Sequence, residues 1–260
     1  MSILDELADH ARERVSAAKK SMPEDIIRQH AYELPRGDFS FERALKKPGI
    51  SFICECKKAS PSKGIIAEDF PYLSIAKEYE AAGADAISVL TEPKWFLGSE
   101  VYLQEIAENV GIPVLRKDFT VDPYMIYEAK LLGASAVLLI VSILTKEELA
   151  EDLVICEELG LSALTECHDE KEIDEAVSAG ARLIGVNNRN LKDFSIDTEL
   201  SGRLRKRIPK EAVFVSESGI KSPQDVQKLR EIGADAVLVG EVLMRAENKK
   251  KMLEELEGRG

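Results

Sequence analysis

The sequence predicts an α/β fold: a (β/α)8 barrel preceded by an N-terminal helical extension. Two observations carry this prediction. The first is an internal repeat. Gly83-Ala84-Asp85-Ala86-Ile87-Ser88-Val89-Leu90 is echoed at Gly133-Ala134-Ser135-Ala136-Val137-Leu138-Leu139, at Gly180-Ala181-Arg182-Leu183-Ile184-Gly185-Val186 and at Gly233-Ala234-Asp235-Ala236-Val237-Leu238-Val239-Gly240. In each copy a helix-stopping Gly is followed at once by an apolar strand. The second is that a further short apolar strand falls between successive copies, at 113–115, 161–164 and 212–215, with Phe52-Ile53-Cys54 ahead of them all. Strands alternating with helices imply a parallel sheet, and a strand–helix unit of about 25 residues repeated eight times implies closure into a TIM barrel. A doubly wound open sheet is the alternative, but it usually has fewer strands and no such even repeat.

Taken in order, residues 1–48 form the extension. Ile3, Leu4, Leu7, Ala8, Ala11 and Val15 recur at helical spacing, Pro23, Pro35 and Pro48 punctuate the segment, and Phe39, Phe41, Ala44 and Leu45 offer apolar surface. The segment is expected to pack on a catalytic barrel spanning 49–260. Helices are expected over 71–82, 99–110, 122–132, 145–159, 168–179, 197–207 and 222–232. Asp122-Pro123 and Ser222-Pro223 each place a cap residue before a Pro at the first helical position, and Thr145-Lys146-Glu147-Glu148 fits a capping box.

Composition narrows the function classes. The formal net charge is −12 over 260 residues, which argues against nucleic acid or an anionic membrane as the main partner. An anionic substrate would have to be attracted by local groups. Cys54, Cys56, Cys156 and Cys167 form no C-x-x-C pair, and they read as reduced thiols of a cytoplasmic protein without a zinc site. The N-terminus, with Asp5, Glu6 and Asp9 and no apolar core, is not a signal peptide. The longest apolar run, residues 136–144, is too short to span a bilayer.

In a barrel of this kind the active groups sit at the C-terminal ends of the strands, and the last two loops often bind phosphate. Residues 51–64 end the first strand with Glu55 and Lys57 at alternate positions, hence on one face, followed by the polar turn Ser60-Pro61-Ser62-Lys63-Gly64. Alone, this stretch reads equally as a solvated strand end. The other ends add Lys117, Glu166, Asn187, Arg189 and Glu217 to the same mouth. Burial and mutual charge would tune such groups for proton transfer near neutral pH. The turns at Ser218-Gly219-Ile220 and Gly240-Glu241 suit a phosphate, because backbone N–H groups at a helix start bind anions and Gly allows close approach; the competing reading is that these glycines only serve tight turns. Trp95, Phe96 and Phe119 offer an aromatic pocket or, equally, lid packing. His10 and His30 lie in the extension, and Glu166 with His168 makes too thin a metal site; His168 reads as a helix-start residue. Asp118 and the carboxylates could hold a divalent cation, but two lysines in the same mouth oppose it.

These strand ends carry a resemblance. Glu55-Cys56-Lys57-Lys58-Ala59-Ser60-Pro61-Ser62-Lys63-Gly64, Arg116-Lys117-Asp118-Phe119, Thr165-Glu166-Cys167-His168, Gly185-Val186-Asn187-Asn188-Arg189, Ser216-Glu217-Ser218-Gly219-Ile220 and Val239-Gly240-Glu241-Val242-Leu243-Met244 resemble, in order, the motifs of the indole-3-glycerol phosphate synthase family. The resemblance covers nearly the whole chain, in the monofunctional form without a fused isomerase barrel. It implies ring closure of 1-(2-carboxyphenylamino)-1-deoxyribulose 5-phosphate with loss of CO2 and water, in tryptophan biosynthesis, with no cofactor and no metal. It also implies roles. Lys117 is the general acid at the ribulose carbonyl. Lys57 pairs with the substrate carboxylate, and its further use as an acid in the dehydration is open. Glu166 is the general base, and Glu55 and Glu217 tune the lysines. Asn187, Arg189 and Ser218 orient the substrate, Ser60, Gly219 and Gly240 with Glu241 border the phosphate, and Phe96 and Phe119 border the anthranilate ring. Pro93, Trp95 and Asn190 depart from the family's usual residues. A small-molecule substrate is the expected partner, and the protein is expected to be a monomer or weak homo-oligomer. The rivals are another phosphosugar barrel such as phosphoribosylanthranilate isomerase, which would favour a Cys and Asp pair over two lysines, and a non-catalytic phosphosugar-binding barrel, which need not keep Lys57, Lys117 and Glu166 together.

Overall fold

The computed structural model describes residues 2–190 and 194–258. Among the described residues, eight parallel strands close into a barrel: β1 (Ser51–Cys56), β2 (Ala86–Leu90), β3 (Val114–Lys117), β4 (Ala136–Ile140), β5 (Ser162–Cys167), β6 (Leu183–Asn187), β7 (Val213–Glu217) and β8 (Ala236–Val239), each paired with its chain neighbours and β8 paired with β1. The (β/α)8 architecture is therefore the observed one. Period-two alternation sorts the side chains. Ile53, Leu115, Leu138, Leu164, Val215 and Leu238 fill the barrel interior, while Phe52, Ile87, Val137, Ile184 and Phe214 face the helical layer.

The connecting helices are α4 (Tyr72–Ala82), α5 (Glu100–Asn109), α6 (Pro123–Leu131), α7 (Lys146–Leu159), α8 (Glu170–Ala179), α9 (Leu200–Leu204), α10 (Pro223–Glu231), α11 (Glu241–Arg245) and α12 (Lys249–Glu257), following α1 (Ile3–Ser21), α2 (Glu24–Glu33) and α3 (Ser40–Leu45) of the extension. The caps form as their residues dictate. Thr145 and Glu148 exchange both bonds of a capping box, and Asp122 and Ser222 cap α6 and α10 with Pro at the first turn. Gly83 and Gly180 end α4 and α8 in the left-handed conformation, at φ 99° and 92°.

Two segments differ from the sequence expectation. The helix expected over 197–207 shortens to α9 and a 3-10 turn at Arg205–Arg207. Its approach is held instead by Asn188, whose carbonyl accepts the Asp197 N–H and whose side-chain oxygen accepts the Ser201 N–H. The polar turn after β1 is not free: Ala59–Ser60 pairs antiparallel with Gly64–Ile65 as a short hairpin.

The extension meets both ends of the barrel. From α1, Leu7 and Ala11 join the interior cluster, Arg14 donates to both oxygens of Asp118 at 3.1 and 2.6 Å, and Lys19 reaches Asp122 at 2.7 Å. At the opposite end α3 places Phe41 and Leu45 under the strands, and its Glu42 N–H donates to Ser162 at the start of β5.

Candidate active site

At the C-terminal ends of the strands lies a cavity of about 370 Å3. Glu55, Lys57, Ser60, Phe96, Lys117, Phe119, Glu166, Asn187, Arg189, Glu217, Ser218, Gly219, Gly240 and Glu241 all stand on its wall. Strand alternation explains the convergence. Lys117 points inward while its neighbour Arg116 points out between α5 and α6, where it meets Glu100 at 2.8 Å and Glu128 at 2.7 Å.

Lys117 is the hub. Its Nζ lies 3.5 Å from Glu166 and 3.6 Å from Glu217. Burial would lower its pKa, but the carboxylates of Glu166, Glu217 and Glu55 outweigh burial and hold it well above the usual lysine value. Glu166 shows the converse. Burial would raise it, yet Lys117, His168 and Asn187 hold it down at about 2. Glu217 is pushed up to about 8, by burial first and then by the Glu166 charge, with Lys117 opposing. Glu55 is buried and ion-paired with Lys57; burial raises its pKa, but Lys57 and Lys117 more than offset that and leave it lowered.

Glycines make room for this cluster. A Cβ at Gly185 would lie 2.3 Å from Oε1 of Glu217, and one at Gly240 would lie 2.6 Å from Oε2 of Glu55 and 3.1 Å from Nζ of Lys57. The amide of Asn187 is oriented at both ends: its Oδ1 accepts the Arg189 N–H at 3.1 Å and its Nδ2 donates to Glu166 at 3.2 Å. Ser218 and Gly219 follow β7 at φ 65° and 85°, a left-handed pair that costs Ser218 strain and is free for Gly219. On the apolar side, the rings of Phe96 and Phe119 stand 6.1 Å apart at 41°. Trp95 does not share that wall. It turns toward α1 and meets the His10 ring edge-on at 5.3 Å, because Glu92 accepts the N–H groups of Lys94, Trp95 and Phe96 and fixes the loop. Asp118 is engaged by Arg14 and by Thr91 at 2.5 Å. Among the described residues, no three His, Cys, Asp or Glu side chains are grouped to hold a metal ion, and no helix is long and apolar enough to cross a membrane.

Two residues do more than the sequence suggested: Asn188 stood only within a motif, and His168 read as a helix-start residue, whereas the cap of α8 is Asp169. Asn188 is buried and donates to Ser216 at 3.2 Å and to the Ser218 carbonyl at 3.1 Å, so it holds the turn after β7. His168 lies 3.2 Å from Glu166. The spacing Glu166-Cys167-His168 was a signal, since alternate residues of an extended chain share a face.

Comparison with known proteins identifies what this arrangement belongs to. Residues 4–256 match the family model for indole-3-glycerol phosphate synthase. The chain belongs to the indole-3-glycerol phosphate synthase family. Indole-3-glycerol phosphate synthase of Ruminiclostridium cellulolyticum is 53% identical, over 98% of this chain and 99% of that protein, and that of Lachnoclostridium phytofermentans is 51% identical over 98% of each. A solved structure of mandelate oxidase superposes with a TM-score of 0.60 over 72% of this chain and 66% of the other, at 21% identity, and shares the fold. Members of the family are carboxy-lyases of tryptophan biosynthesis, and this chain is one of that class.

Proposed function

We propose that the cavity closes the indole ring of 1-(2-carboxyphenylamino)-1-deoxyribulose 5-phosphate, as an indole-3-glycerol phosphate synthase, by general acid–base catalysis. The observation that carries the reading is that two lysines, each paired with a buried glutamate, stand on one wall system with a phenylalanine pair and two glycine turns. Ser60, the Ser218-Gly219 turn and Gly240-Glu241 take the phosphate, and Phe96 and Phe119 flank the ring. Arg189 and Asn187 orient the sugar, and Lys57 pairs with the carboxylate. Pinning a flexible substrate at both ends brings the ring carbon that bears the carboxylate onto the ribulose C2 carbonyl.

As that carbon attacks, Lys117 gives its proton to the carbonyl oxygen. The nascent alkoxide is a stronger base than a lysine amine, so transfer runs downhill even from a stabilised ammonium. The bond to the carboxyl group then breaks, CO2 leaves, and the electron pair restores the aromatic ring. Loss of the Lys117 charge strips Glu166 of its main partner and strengthens it as a base. Glu166 removes a proton from the sugar C1 as the C2 hydroxyl, protonated by a lysine ammonium, departs as water. Lys57 is our choice for that acid. Glu217, 3.6 Å from the Lys117 ammonium, tunes that lysine only through its charge and takes no proton from the substrate itself.

We further read residues 1–48 as an extension that works as one unit with the barrel of 49–260. The Arg14–Asp118 pair, next to Lys117, supports this. We place the protein in the cytoplasm as a monomer or weak homo-oligomer without a nucleic-acid partner, in keeping with its acidic charge. The test is incubation of the purified protein with the linear substrate in the presence of a chelator. Indole fluorescence should rise with stoichiometric CO2 release, and a flat signal at all temperatures tried would reject the reading.

A further inference from the structure

Beyond the cavity wall, one ring stands between two carboxylates. His168 follows β5, and its Nε2 lies 3.2 Å from Oε1 of Glu166, a charge contact outside hydrogen-bond geometry. Its Nδ1 lies 3.1 Å from Oε2 of Glu172, on the first turn of α8. Glu172 is itself fixed: it accepts the His168 N–H at 2.7 Å, and its own N–H donates to Asp169 at 2.8 Å. Carboxylates face both ring nitrogens, so both nitrogens must carry a proton for neither contact to be repulsive. Side-chain exposure is 18% for His168, 2% for Glu166 and 16% for Glu172, so solvent screens these contacts poorly.

We infer that His168, an imidazolium between Glu166 and Glu172, is a positioning residue that holds the Glu166 carboxylate toward the cavity and keeps it an anion until it takes the substrate proton. The inference rests on Glu166 being the general base. His168 does not line the cavity and so does not touch substrate. Its importance follows from the order of steps. Once Lys117 has given up its proton, the remaining partners of Glu166 are His168 and the Asn187 amide, which approaches the same Oε1 at 3.2 Å. The groups that set the charge around this pair are Lys117 of β3, Glu217 of β7, Glu55 of β1 and Glu172 of α8. Burial disfavours the ring's charge, but Glu166 and Glu172 raise its pKa to about 10, in agreement with the geometry.

The test uses full-length protein carrying His168→Gln, His168→Arg or Glu172→Gln, with wild type and Glu166→Gln alongside. His168→Gln should lower kcat about tenfold, part of what a general base supplies, while KM stays within about twofold. His168→Arg, which keeps a charged donor and has solvent to extend into, should recover most of that loss. Glu172→Gln leaves the ring one carboxylate, so its proton leaves at lower pH, and the basic limb of kcat should move down by at least about one pH unit. In wild type, nitrogen-15 spectra at pH 8 should show both ring nitrogens of His168 protonated. An unmoved basic limb in Glu172→Gln, a neutral ring at pH 8, or Arg and Gln variants equally impaired would overturn the inference. Wild type without turnover would overturn the functional reading itself, and turnover by Glu166→Gln would remove the base assignment and this inference with it. An active wild type, inactive Glu166→Gln and normal His168→Gln would overturn the His168 role alone.

Discussion

Lys117 and its glutamates show how three identical carboxyl groups take different states in one cavity. Lys57 and Lys117 hold the pKa values of Glu55 and Glu166 down, whereas burial and the Glu166 charge push that of Glu217 up. Because the folded-state pKa of Glu217 is raised above the ordinary value, the folded protein binds that proton more tightly than the unfolded chain. Its contribution to stability is greatest below about pH 4.5 and declines as pH rises toward about 8. Denaturant titrations across that window should show a steeper loss of stability for wild type than for Glu217→Gln; parallel curves would contradict the assignment. Gly185 sets the location of the same carboxyl. Gly185→Ala forces a Cβ to 2.3 Å from Oε1 of Glu217, and should cost about 1–3 kcal/mol of stability by overpacking together with a fall in kcat. Melting and steady-state assays of that variant check both. Much of this was legible in the sequence. Glu55 and Lys57, two apart at the end of an apolar run, had to share a face, and Lys117 had to oppose Arg116. The states of Glu166 and Glu217 were not legible, because they depend on charges brought from other strands.

At the scale of elements, caps and alternation were legible and long-range holds were not. Thr145 with Glu148, Asp122 before Pro123 and Ser222 before Pro223 are local signals, and the structure forms all of them. The shortening at α9 was hidden because its cause, Asn188, lies 13 residues from the Ser201 it binds. Trp95 was hidden for a similar reason: its neighbour His10 comes from α1. The junction between α1 and the barrel makes a prediction of its own. Asp118 is fully buried, and Arg14 supplies two of its hydrogen bonds. Arg14→Ala leaves a buried carboxylate short of its cation and should cost about 3 kcal/mol in chemical denaturation. A loss below about 1 kcal/mol would mean that solvent, Thr91 and Arg116 suffice to hold Asp118.

For the whole molecule, closure of the barrel is what turns scattered residues into a site. The repeat glycines at 83, 133, 180 and 233 set the period, and the period places eight strand ends around one mouth. In a chain of net charge −12, Lys57, Lys117, Arg189, Lys221 and Arg245 bring cations to that cavity wall beside its carboxylates, which suits the anionic substrate proposed. The proposed chemistry turns on the Lys117 ammonium as the acid of ring closure. It is tested most directly by measuring turnover and substrate binding side by side for wild type and Lys117→Ala. Wild type should form the indole product, and the variant should bind the linear substrate by calorimetry yet lose at least about a hundredfold in kcat. Near-normal turnover by Lys117→Ala would rule out that acid role.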